Sequence, residues 1–598
     1  MHRMRRTKIV ATLGPATDDP AVLAELVAGG MDVARLNLSH GNRDDHARRL
    51  GELRDAAHAQ GRLVAVMLDT RGPEVRLGPV GAAPDDSVVL ASGAIVQLHC
   101  TTDTRGTEGT ATDLWVNHPH LWSDVDTADT LLVDDGALEL AVTGTGSGWV
   151  DARVVRGGAL RGGRKLNAPG VHLSLPALSD ADRSDLVWGL EEGVDWVAAS
   201  FVQHAADILA IRHLLEARHG HMGIIAKIEC QAGVENLESI LEVADGLMVA
   251  RGDLGVEFPV ERVPVLQKRM LSAARRRGLP SITATQMLES MVTMERPTRA
   301  EASDVANAIW DGSDAVMLSE ETAIGQHPAR AVGVMAHIAE ETEAAFDFGS
   351  YLRSAVATDG PTVTEAITAA ACRVADALHA DAIVTPTTSG FSARMVARHR
   401  PAAPIVAATP TPAVTRALAL FWGVAPVLMA QRADDAATMF DRALDAATQN
   451  GLVAAGDLVV LTGGAPVGVP GTTNLLQVRS IGRVVCRGTG IGGAVVVGPI
   501  RHLEKAADVE KIGPGDVVVA VSGDTPGFVA ALTRAAGAVV EVGGLTTAAA
   551  ITALAIPRPI IVGAQGAHTL LEEGAVVTLD LRRGLVYAGT VRVDASST

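Results

Sequence analysis

The sequence predicts an α/β fold organised around a (β/α)8 TIM barrel, and three observations lead to this prediction. Short apolar, β-branched runs alternate with stretches of helical periodicity, which is the pattern of a parallel sheet. There are eight such runs, the number that closes a parallel sheet without leaving an edge. Polar residues gather at the C-terminal ends of the runs, where barrel enzymes carry their chemistry. An open doubly wound sheet is the alternative.

The eight runs follow one another with one long interruption after the third. They are KIVATLG (8–14), DVARLN (32–37), VAVMLDT (64–70), DWVAASFV (195–202), GIIAKIE (223–229), GLMVARGD (246–253), PSITATQ (280–286) and AVMLSE (315–320). The helices between them have recognisable ends. Asp18 precedes AVLAELVAGG, which Gly29 and Gly30 stop. Thr298 and Glu301 have the spacing of a capping box.

Seven polar residues lie at or just after the C-terminal ends of these runs. They are Arg35, Asn37, Asp69, Lys227, Glu229, Asp253 and Thr285. A solvated strand end explains any one of them taken alone. Seven together favour an active site at the barrel mouth.

Three further units are predicted around the barrel, which takes residues 1–72 and 171–344. Residues 73–170 contain alternating short strands such as SVVLAS and WVDARVV, and they predict an inserted β-barrel-like lid domain that ends in RGGRKLNAPG. Residues 345–480 again alternate helix and strand and predict a C-terminal α/β domain. The Gly- and Val-rich residues 481–598 predict an extra domain.

Composition limits the function classes that fit. The chain of 598 residues is 47% hydrophobic and carries a net charge of −18, which disfavours binding to nucleic acid or to an anionic membrane. No apolar run reaches the ~18 residues of a membrane span. Four scattered cysteines (Cys100, Cys230, Cys372 and Cys486) have neither metal-ligand spacing nor the density of a disulfide scaffold. These features predict a globular protein of the reducing cytoplasm.

The fifth and sixth runs carry the strongest chemical signal. Lys227 and Glu229 are two residues apart on a strand, so both side chains point toward the barrel mouth. Asp253 ends the next run and can join Glu229 as a hard oxygen ligand for Mg²⁺ or Mn²⁺. The backbone N–H groups of residues 250–252 offer a cradle for a carboxylate. A simple ion pair between Lys227 and Glu229 is the alternative interpretation.

Seven motifs in this order resemble those of the pyruvate kinase family. They are TKIVATLGPAT, MDVARLNLSHG, MLDTRGPEVR, VDDGAL, IIAKIE, MVARGDLG and ITATQMLESM followed by RPTRAEASDVANAIWDG. The resemblance covers residues 5 to about 480. It implies transfer of the phosphoryl group of phosphoenolpyruvate to ADP, giving pyruvate and ATP in the last step of glycolysis, with Mg²⁺ (or Mn²⁺) and K⁺ as cofactors. A homotetramer is the assembly that the family implies.

The resemblance assigns roles to matching positions. Lys227 would stabilise charge on the transferring group, and Arg35 and Arg76 would clamp the phosphate. Glu229 and Asp253 would hold the divalent ion, while residues of the carboxylate cradle would contact substrate together with Thr285. The cradle residues are Ala250, Arg251 and Gly252. The implied K⁺ ligands are Asn37, Ser39, Asp69 and Thr70. The implied nucleotide contacts are Asn37, His40, Arg76 and Lys165.

Thr285 and the lid residues Arg164 and Lys165 have alternative interpretations, and Glu74 carries a further prediction. Thr285 matches the position linked to proton delivery onto the enolate, but threonine is a poor acid, so a water relay is favoured over direct donation. A strand residue that caps a helix is the plain alternative. Glu74 occupies the position where Glu accompanies K⁺ activation in the family, which predicts K⁺ dependence. Arg164 and Lys165 in the lid suit nucleotide phosphate or, equally, a solvated basic turn.

A loop of the third domain, TPTTSGFSAR (385–394), resembles the effector loop of pyruvate kinases. It presents Thr387, Thr388, Ser389, Gly390 and Ser392 before a predicted helix. Hydroxyl and N–H groups at such a position bind phosphate, so the resemblance implies an allosteric effector that is a phosphorylated metabolite. The loop GGAPVGVPGTTN (463–474) would close the pocket. Taken alone, either loop is an ordinary turn.

Residues 481–598 resemble the swivelling phosphohistidine domain of phosphoenolpyruvate synthases and dikinases. That domain needs a nucleophilic His directly after a Ser or Thr in its GGLT motif. Here Ala548 follows Thr546 and Thr547 at that position. His568 lies outside the motif. Without an imidazole there is no phosphohistidine, so a structural role is expected.

Two other functions fit the sequence less well. A synthase-type phosphotransferase is opposed by Ala548 at the nucleophile position. A catalytically inactive metabolite sensor is opposed by the intact set of Arg35, Lys227, Glu229 and Asp253.

Overall fold

The computed structural model describes residues 5–81, 86–354, 361–430, 435–467, 471–492 and 495–591. The chain divides into two compact units. The first consists of Met1–Pro361 and Thr387–Pro426, and the second of Thr362–Pro386 and Val427–Thr598. The division into four domains drawn from the sequence stays a prediction beside these units.

The first unit contains a closed barrel of eight parallel strands, which confirms the predicted (β/α)8 barrel. Each predicted run contains one strand. In chain order the strands are Lys8–Leu13, Val33–Asn37, Ala65–Asp69, Trp196–Ala199, Gly223–Ile228, Gly246–Ala250, Ser281–Ala284 and Ala315–Leu318. The eighth strand pairs with the first, Lys8 opposite Ala315, and closes the ring. Almost every strand residue is buried because helices cover the outside and side chains fill the inside.

Helices separate the barrel strands. They are Pro20–Gly29, Arg43–Ala59, Asp180–Glu191, Ala205–Ala217, Gln231–Glu235, Leu237–Val243, Arg251–Glu257, Val263–Arg276, Arg299–Trp310, Glu320–Ala323, Pro328–Ala344 and Phe348–Ser354. Thr298 forms the predicted capping box with Glu301.

The predicted cap at Asp18 is wrong by one residue. Asp19 is the N-cap and accepts a hydrogen bond from the Ala21 N–H at 2.9 Å. Pro20 sets this start, because proline fits the first helical position and lacks the N–H that a later position would need. Asp18 instead pairs with Arg49, whose Nε donates to it at 2.6 Å. Gly30 ends the helix at φ 110°, a left-handed conformation that favours glycine.

A β structure is inserted between the third and fourth barrel strands, as predicted. Its strands are Ser87–Leu90, Ile95–Cys100, Asp113–Val116, Thr130–Val133, Leu138–Gly146, Trp149–Arg156, Gly158–Arg161 and Leu166–Asn167, with a short helix at Leu121–Asp124. Six of them form one sheet and two form another. Alternate residues such as Leu98, Leu131 and Val150 build a core separate from that of the barrel. We call this structure the lid.

Segment Thr387–Pro426 belongs to the first unit. It contains helices Phe391–Ala397 and Pro412–Ala417 and strand Ile405–Thr409. Two ion pairs attach it to the barrel: Arg400 to Asp314 and Arg416 to Asp195, each at 2.9 Å. Arg400 and Asp314 are both almost fully buried, so this pair is shielded from solvent.

The second unit carries the remaining sheet structure. Its first part has helices Val363–Ala377 and Ala436–Gln449 and strands Ala382–Pro386, Leu458–Gly463 and Leu475–Ser480. Strand Val424–Leu428 runs across the boundary between the units. An eight-stranded mixed sheet follows. Its strands are Val484–Arg487, Thr489–Ile491, Val495–His502, Val517–Ala520, Gly537–Val540, Ile560–Val562, Val576–Asp580 and Leu585–Ala588. Helices Phe528–Arg534, Ala548–Ala555 and Ala567–Leu570 accompany it.

No helix in the described ranges is long and apolar enough to cross a lipid bilayer. All four cysteines are free thiols.

The buried pair between Arg400 and Asp314 yields a stability prediction. Replacing Arg400 with Met leaves the Asp314 carboxylate buried without its cation, so the free energy of unfolding is expected to fall by about 3–5 kcal/mol. Urea unfolding followed by far-ultraviolet circular dichroism measures it. Arg105→Met, which removes an exposed pair with Asp103, is the control and should change nothing. A loss as small as the control's contradicts the prediction.

Candidate active site

A cavity of about 1290 Å³ opens at the C-terminal end of the barrel strands. Residues of the barrel loops and of the lid line it together. The barrel contributes Arg251, Gly252, Asp253 and Thr285, and the lid side contributes Arg164 and Lys165. Of the seven residues predicted at strand ends, Asp253 and Thr285 line this cavity, with the lid facing them.

Asp69 is the centre of a buried charge cluster. It ends the third strand and is 1% exposed. One carboxylate oxygen accepts a hydrogen bond from Arg35 Nε at 2.6 Å, and the other accepts one from Lys227 Nζ at 2.9 Å. Burial alone would raise the pKa of Asp69, but the charges of Arg35 and Lys227 outweigh it and hold the pKa below its usual range. Asp69 therefore fixes two cations from two different strands.

Lys227 has three partners in this cluster. Besides Asp69, its ammonium group contacts Ser200 Oγ at 2.7 Å and Glu229 Oε1 at 3.1 Å. Burial would lower the pKa of Lys227, but the carboxylates of Asp69 and Glu229 raise it above its usual value. The alternative of an ion pair between Lys227 and Glu229 is thus part of the structure, within a larger network.

Glu229 follows the fifth strand and is held from two sides. Its Oε2 accepts a hydrogen bond from the Phe201 N–H at 2.6 Å. Burial and the negative charge of Asp253 raise the pKa of Glu229 to about 7, and the positive charge of Lys227 opposes this rise. A cation placed near Glu229 and Asp253 would lower the repulsion between these two carboxylates.

This donor set fits a divalent ion that also uses other ligands. The described residues contain no group of three or more His, Cys, Asp or Glu side chains placed to hold a metal. Mg²⁺ is commonly bound by one or two carboxylates plus waters and substrate oxygens, so the pair of Glu229 and Asp253 suffices for it.

Lys165 connects the lid to the barrel. Its ammonium group forms a short ion pair with Asp253, lies 3.8 Å from Glu74 and sits 4.1 Å from the centre of the Phe201 ring. The ammonium group of Lys165 in the lid is therefore paired with Asp253, which is a predicted metal ligand.

The other basic residues of the lid region lie near Lys165. Arg76 donates from Nε to Glu74 at 2.8 Å and from Nη1 to the Gly163 carbonyl at 3.0 Å. Its side chain is 46% exposed and lines the cavity. Arg164 pairs with Asp134 at 3.1 Å.

Thr285 is bonded to the predicted carboxylate cradle. The Gly252 N–H donates to Thr285 Oγ1 at 2.8 Å, and that hydroxyl donates to the Ala284 carbonyl at 2.7 Å. Arg251 donates to the Thr285 carbonyl at 2.7 Å and pairs with Asp304 at 2.6 Å. Ala250 ends the sixth strand directly before them. One N–H of the cradle is thus already engaged by Thr285.

The predicted K⁺ ligands lie along the second and third strands. Asn37 stands opposite Asp69 in the strand register, and its Oδ1 accepts a hydrogen bond from the Ser39 N–H at 3.1 Å. Thr70 follows Asp69, and its Oγ1 accepts from the Ser200 N–H at 3.1 Å. His40 lines the cavity. These oxygen-bearing residues are brought together beside the charge cluster.

Two members of the cluster were missed in the sequence. Ser200 contacts Lys227, and its Oγ also lies 3.3 Å from Asp69. Thr12 Oγ1 accepts from Arg35 Nη1 at 3.0 Å. Ser200 was detectable as a hydroxyl directly after the fourth strand. Thr12 lies inside a strand and has no comparable signal.

The predicted effector residues lie in the first unit. Gly390, at φ 83°, precedes helix Phe391–Ala397, and its N–H donates to Thr387 Oγ1 at 2.9 Å. Thr387 and Ser392 are buried, Thr388 is half-buried and Ser389 is exposed. The predicted closing loop, 463–474, lies in the second unit, and its residues 468–470 fall outside the described part of the chain.

Ala548 is the first residue of helix Ala548–Ala555 and is exposed. Thr547 Oγ1 donates to the Gly544 carbonyl at 2.7 Å in the preceding turn. His568 stacks edge-on against His502 with ring centres 4.5 Å apart. A methyl group thus stands where the related motif carries its imidazole.

Three family models match successive parts of the chain. Residues 4–332 match the pyruvate kinase barrel domain, and residues 365–479 match the pyruvate kinase alpha/beta domain. Residues 512–584 match the mobile domain of PEP-utilising enzymes. The barrel model alone covers more than half of the chain.

Curated relatives and a solved structure agree with these matches. The chain is 44% identical to a pyruvate kinase of Geobacillus stearothermophilus, over 98% of this chain and 100% of that protein. It is 42% identical to pyruvate kinase 2 of Synechocystis sp., over 98% of each chain. A crystal structure of a pyruvate kinase from Cryptosporidium parvum superposes with a TM-score of 0.74 at 35% identity, over 80% of this chain and 96% of that chain. The chain therefore belongs to the pyruvate kinase family.

Proposed function

We propose that this kinase transfers the phosphoryl group of phosphoenolpyruvate to ADP at the cavity formed by the barrel and the lid. An oxygen of the terminal ADP phosphate attacks the phosphorus, the bond to the enolate oxygen breaks, and the enolate takes up a proton to give pyruvate. The observation that supports this best is Lys227, a buried cation held between Asp69, Glu229 and Ser200.

Lys227 and Arg35 supply fixed positive charge. Phosphoryl transfer spreads negative charge over the oxygens of the moving group, and catalysis is mostly its electrostatic stabilisation. Because Asp69 holds both cations before substrate arrives, little reorganisation is needed at the moment of reaction. Arg76 would add a third positive charge from the lid side. To do so, its guanidinium group would have to give up its hydrogen bond to Glu74 and bind phosphate oxygens instead.

Glu229 and Asp253 would hold the divalent cation. A bound Mg²⁺ or Mn²⁺ supplies positive charge to substrate oxygens and lowers the repulsion between the two carboxylates. Asn37, Ser39, Asp69 and Thr70 would hold K⁺ with hard oxygen donors, and Glu74 keeps the K⁺ dependence predicted from the sequence.

Nucleotide binding is assigned to the lid side. Asn37, His40, Arg76 and Lys165 would contact the nucleotide, and closure of the lid would exclude water that otherwise hydrolyses the phosphoryl group. The pairing of Lys165 with Asp253 supports a lid that exchanges partners. With Asp253 engaged by the divalent ion, the ammonium group of Lys165 would be available to phosphate.

Thr285 would serve proton delivery through water. Its hydroxyl proton points at the Ala284 carbonyl, and its oxygen accepts from Gly252. Direct donation would break the first of these bonds, so a relay that borrows the hydroxyl is favoured.

Regulation and assembly are proposed from the family. Residues 387–392 would bind a phosphorylated effector, and the kinase would act in the cytoplasm as a homotetramer. Residues 481–598 would have a structural role, since Ala548 cannot carry a phosphoryl group.

Replacing Lys227 with Met tests the proposed reaction. The kcat for pyruvate formation is expected to fall by about 10²–10³-fold, because a fixed charge at the developing negative charge is removed. A coupled assay of pyruvate formation measures it. Lys511→Met, which changes an exposed lysine of the second unit, is the control and should keep the native rate. A kcat within tenfold of native for Lys227→Met would refute the assigned role.

Replacing Lys165 with Met tests the exchange of partners. Without substrate, Mn²⁺ is expected to bind about 3- to 10-fold more tightly, because the variant lacks the ammonium group that competes for Asp253. Titration of Mn²⁺ followed by electron paramagnetic resonance measures the affinity. Arg164→Met is the matched control, since Arg164 pairs with Asp134 instead. Unchanged or weaker Mn²⁺ binding in Lys165→Met would show that Lys165 does not guard the metal ligand.

A further inference from the structure

A second, much smaller cavity lies between the barrel and segment Thr387–Pro426. Its volume of about 10 Å³ is room for one body the size of a water molecule. Four arginines and one carboxylate are among the residues that line it: Arg275, Arg394, Arg398, Arg400 and Asp314. The lining therefore has a large excess of positive charge.

Asp314 does not balance this excess, because its oxygens are already in use. One accepts from Arg400 Nη1 at 2.9 Å, and the other accepts from the Ser281 N–H and hydroxyl, each at 3.0 Å. Arg400 completes its own bonding by donating to the Gly312 carbonyl at 2.7 Å. This pair is neutral as a whole.

Arg275 and Arg394 have donors without acceptors. The Nε of each is shielded from solvent and has no hydrogen-bond partner among the described residues. Their guanidinium groups stack on aromatic rings, Arg275 on Tyr351 at 4.4 Å and Arg394 on Phe391 at 5.0 Å. Stacking leaves the in-plane N–H groups free for an acceptor.

The electrostatics agree with this geometry. Burial and the charge of Arg400 together lower the pKa of Arg275 to about 10, while the charge of Asp314 opposes them. Burial also lowers the pKa of Arg394, with Asp245 opposing. Asp245 itself is bound to Arg212 at 2.9 Å. Arg398 donates to the Arg276 carbonyl at 3.0 Å.

We infer that this cavity is a binding site for a small monovalent anion of the halide class, held between Arg275 and Arg394. A water molecule would satisfy the N–H groups but would leave the repulsion between the guanidinium charges. A halide ion is a single atom, so it needs less space than a tetrahedral oxyanion such as phosphate, and it supplies the negative charge that the lining lacks.

The site joins two elements with separate roles. Arg275 lies on helix Val263–Arg276, whose first turn lines the large cavity of the active site. Arg394 lies on helix Phe391–Ala397, directly after the proposed effector residues. A bound anion ties these two helices together, independently of which effector or substrate is bound.

Crystals of the whole chain soaked in sodium bromide test the site directly. Diffraction measured at the bromine absorption edge is expected to show an anomalous peak in contact with the guanidinium groups of Arg275 and Arg394. Absence of a peak there means that the cavity holds only water, and this overturns the inference.

Thermal unfolding tests the same site in solution. Replacing gluconate by chloride at constant ionic strength is expected to raise the Tm of the native chain and to have no such effect on Arg394→Met, because a ligand of the folded state stabilises it by mass action. Arg276→Met is the matched control: Arg276 is an exposed neighbour outside the lining, so the chloride effect should remain. If Arg394→Met does not fold, Arg275→Gln takes its place. The inference is overturned if chloride does not change the Tm of the native chain, or if chloride still raises the Tm of Arg394→Met or of its substitute Arg275→Gln.

Discussion

The Asp69 carboxylate is the contact on which the architecture of the active site depends. It is buried, and it accepts hydrogen bonds from cations of the second and fifth barrel strands, Arg35 and Lys227. Without Asp69, Arg35 would lose this carboxylate partner and Lys227 would keep only Glu229 of its two, and a buried charge that loses its partner is costly. The barrel supplies the means: parallel strands bring their C-terminal ends to one rim, so residues 35, 69 and 227 meet although they are distant in sequence. A rigid set of charges follows, and phosphoryl transfer needs just that.

The lid interacts with the site through the same kind of charge pairing. Lys165 crosses from the lid to Asp253, 88 residues along the chain, and lies over the Phe201 ring. The negative charge that a divalent ion would neutralise is thus partly neutralised by the protein itself. Under the proposed function, the divalent ion, the nucleotide phosphate and the lid would compete for a small number of charged groups, and this competition would connect lid closure to substrate binding.

The sequence was sufficient for the barrel and for most of the site because both depend on local periodicity. Lys227 and Glu229 were predicted to share a face from their spacing of two, and the structure places both beside Asp69. Contacts that depend on tertiary structure could not be predicted from the sequence. They are the hydrogen bonds of Thr12 with Arg35, of Ser200 with Lys227 and of Lys165 with Asp253. The helix Pro20–Gly29 begins one residue later than the sequence pattern predicts, because Pro20 takes the first helical position and makes Asp19 the N-cap. The arginines around the small cavity come from two distant segments and carry no motif.

The direct test of the central claim is to follow the two products of the native chain in one sample, ATP by phosphorus NMR and pyruvate by proton NMR. With phosphoenolpyruvate, ADP, Mg²⁺ and K⁺, the account predicts that ATP appears as fast as phosphoenolpyruvate disappears, with one pyruvate for each ATP. Closure of the lid would exclude water as an alternative acceptor for the phosphoryl group. Release of inorganic phosphate in place of ATP, or no turnover at all, would contradict it.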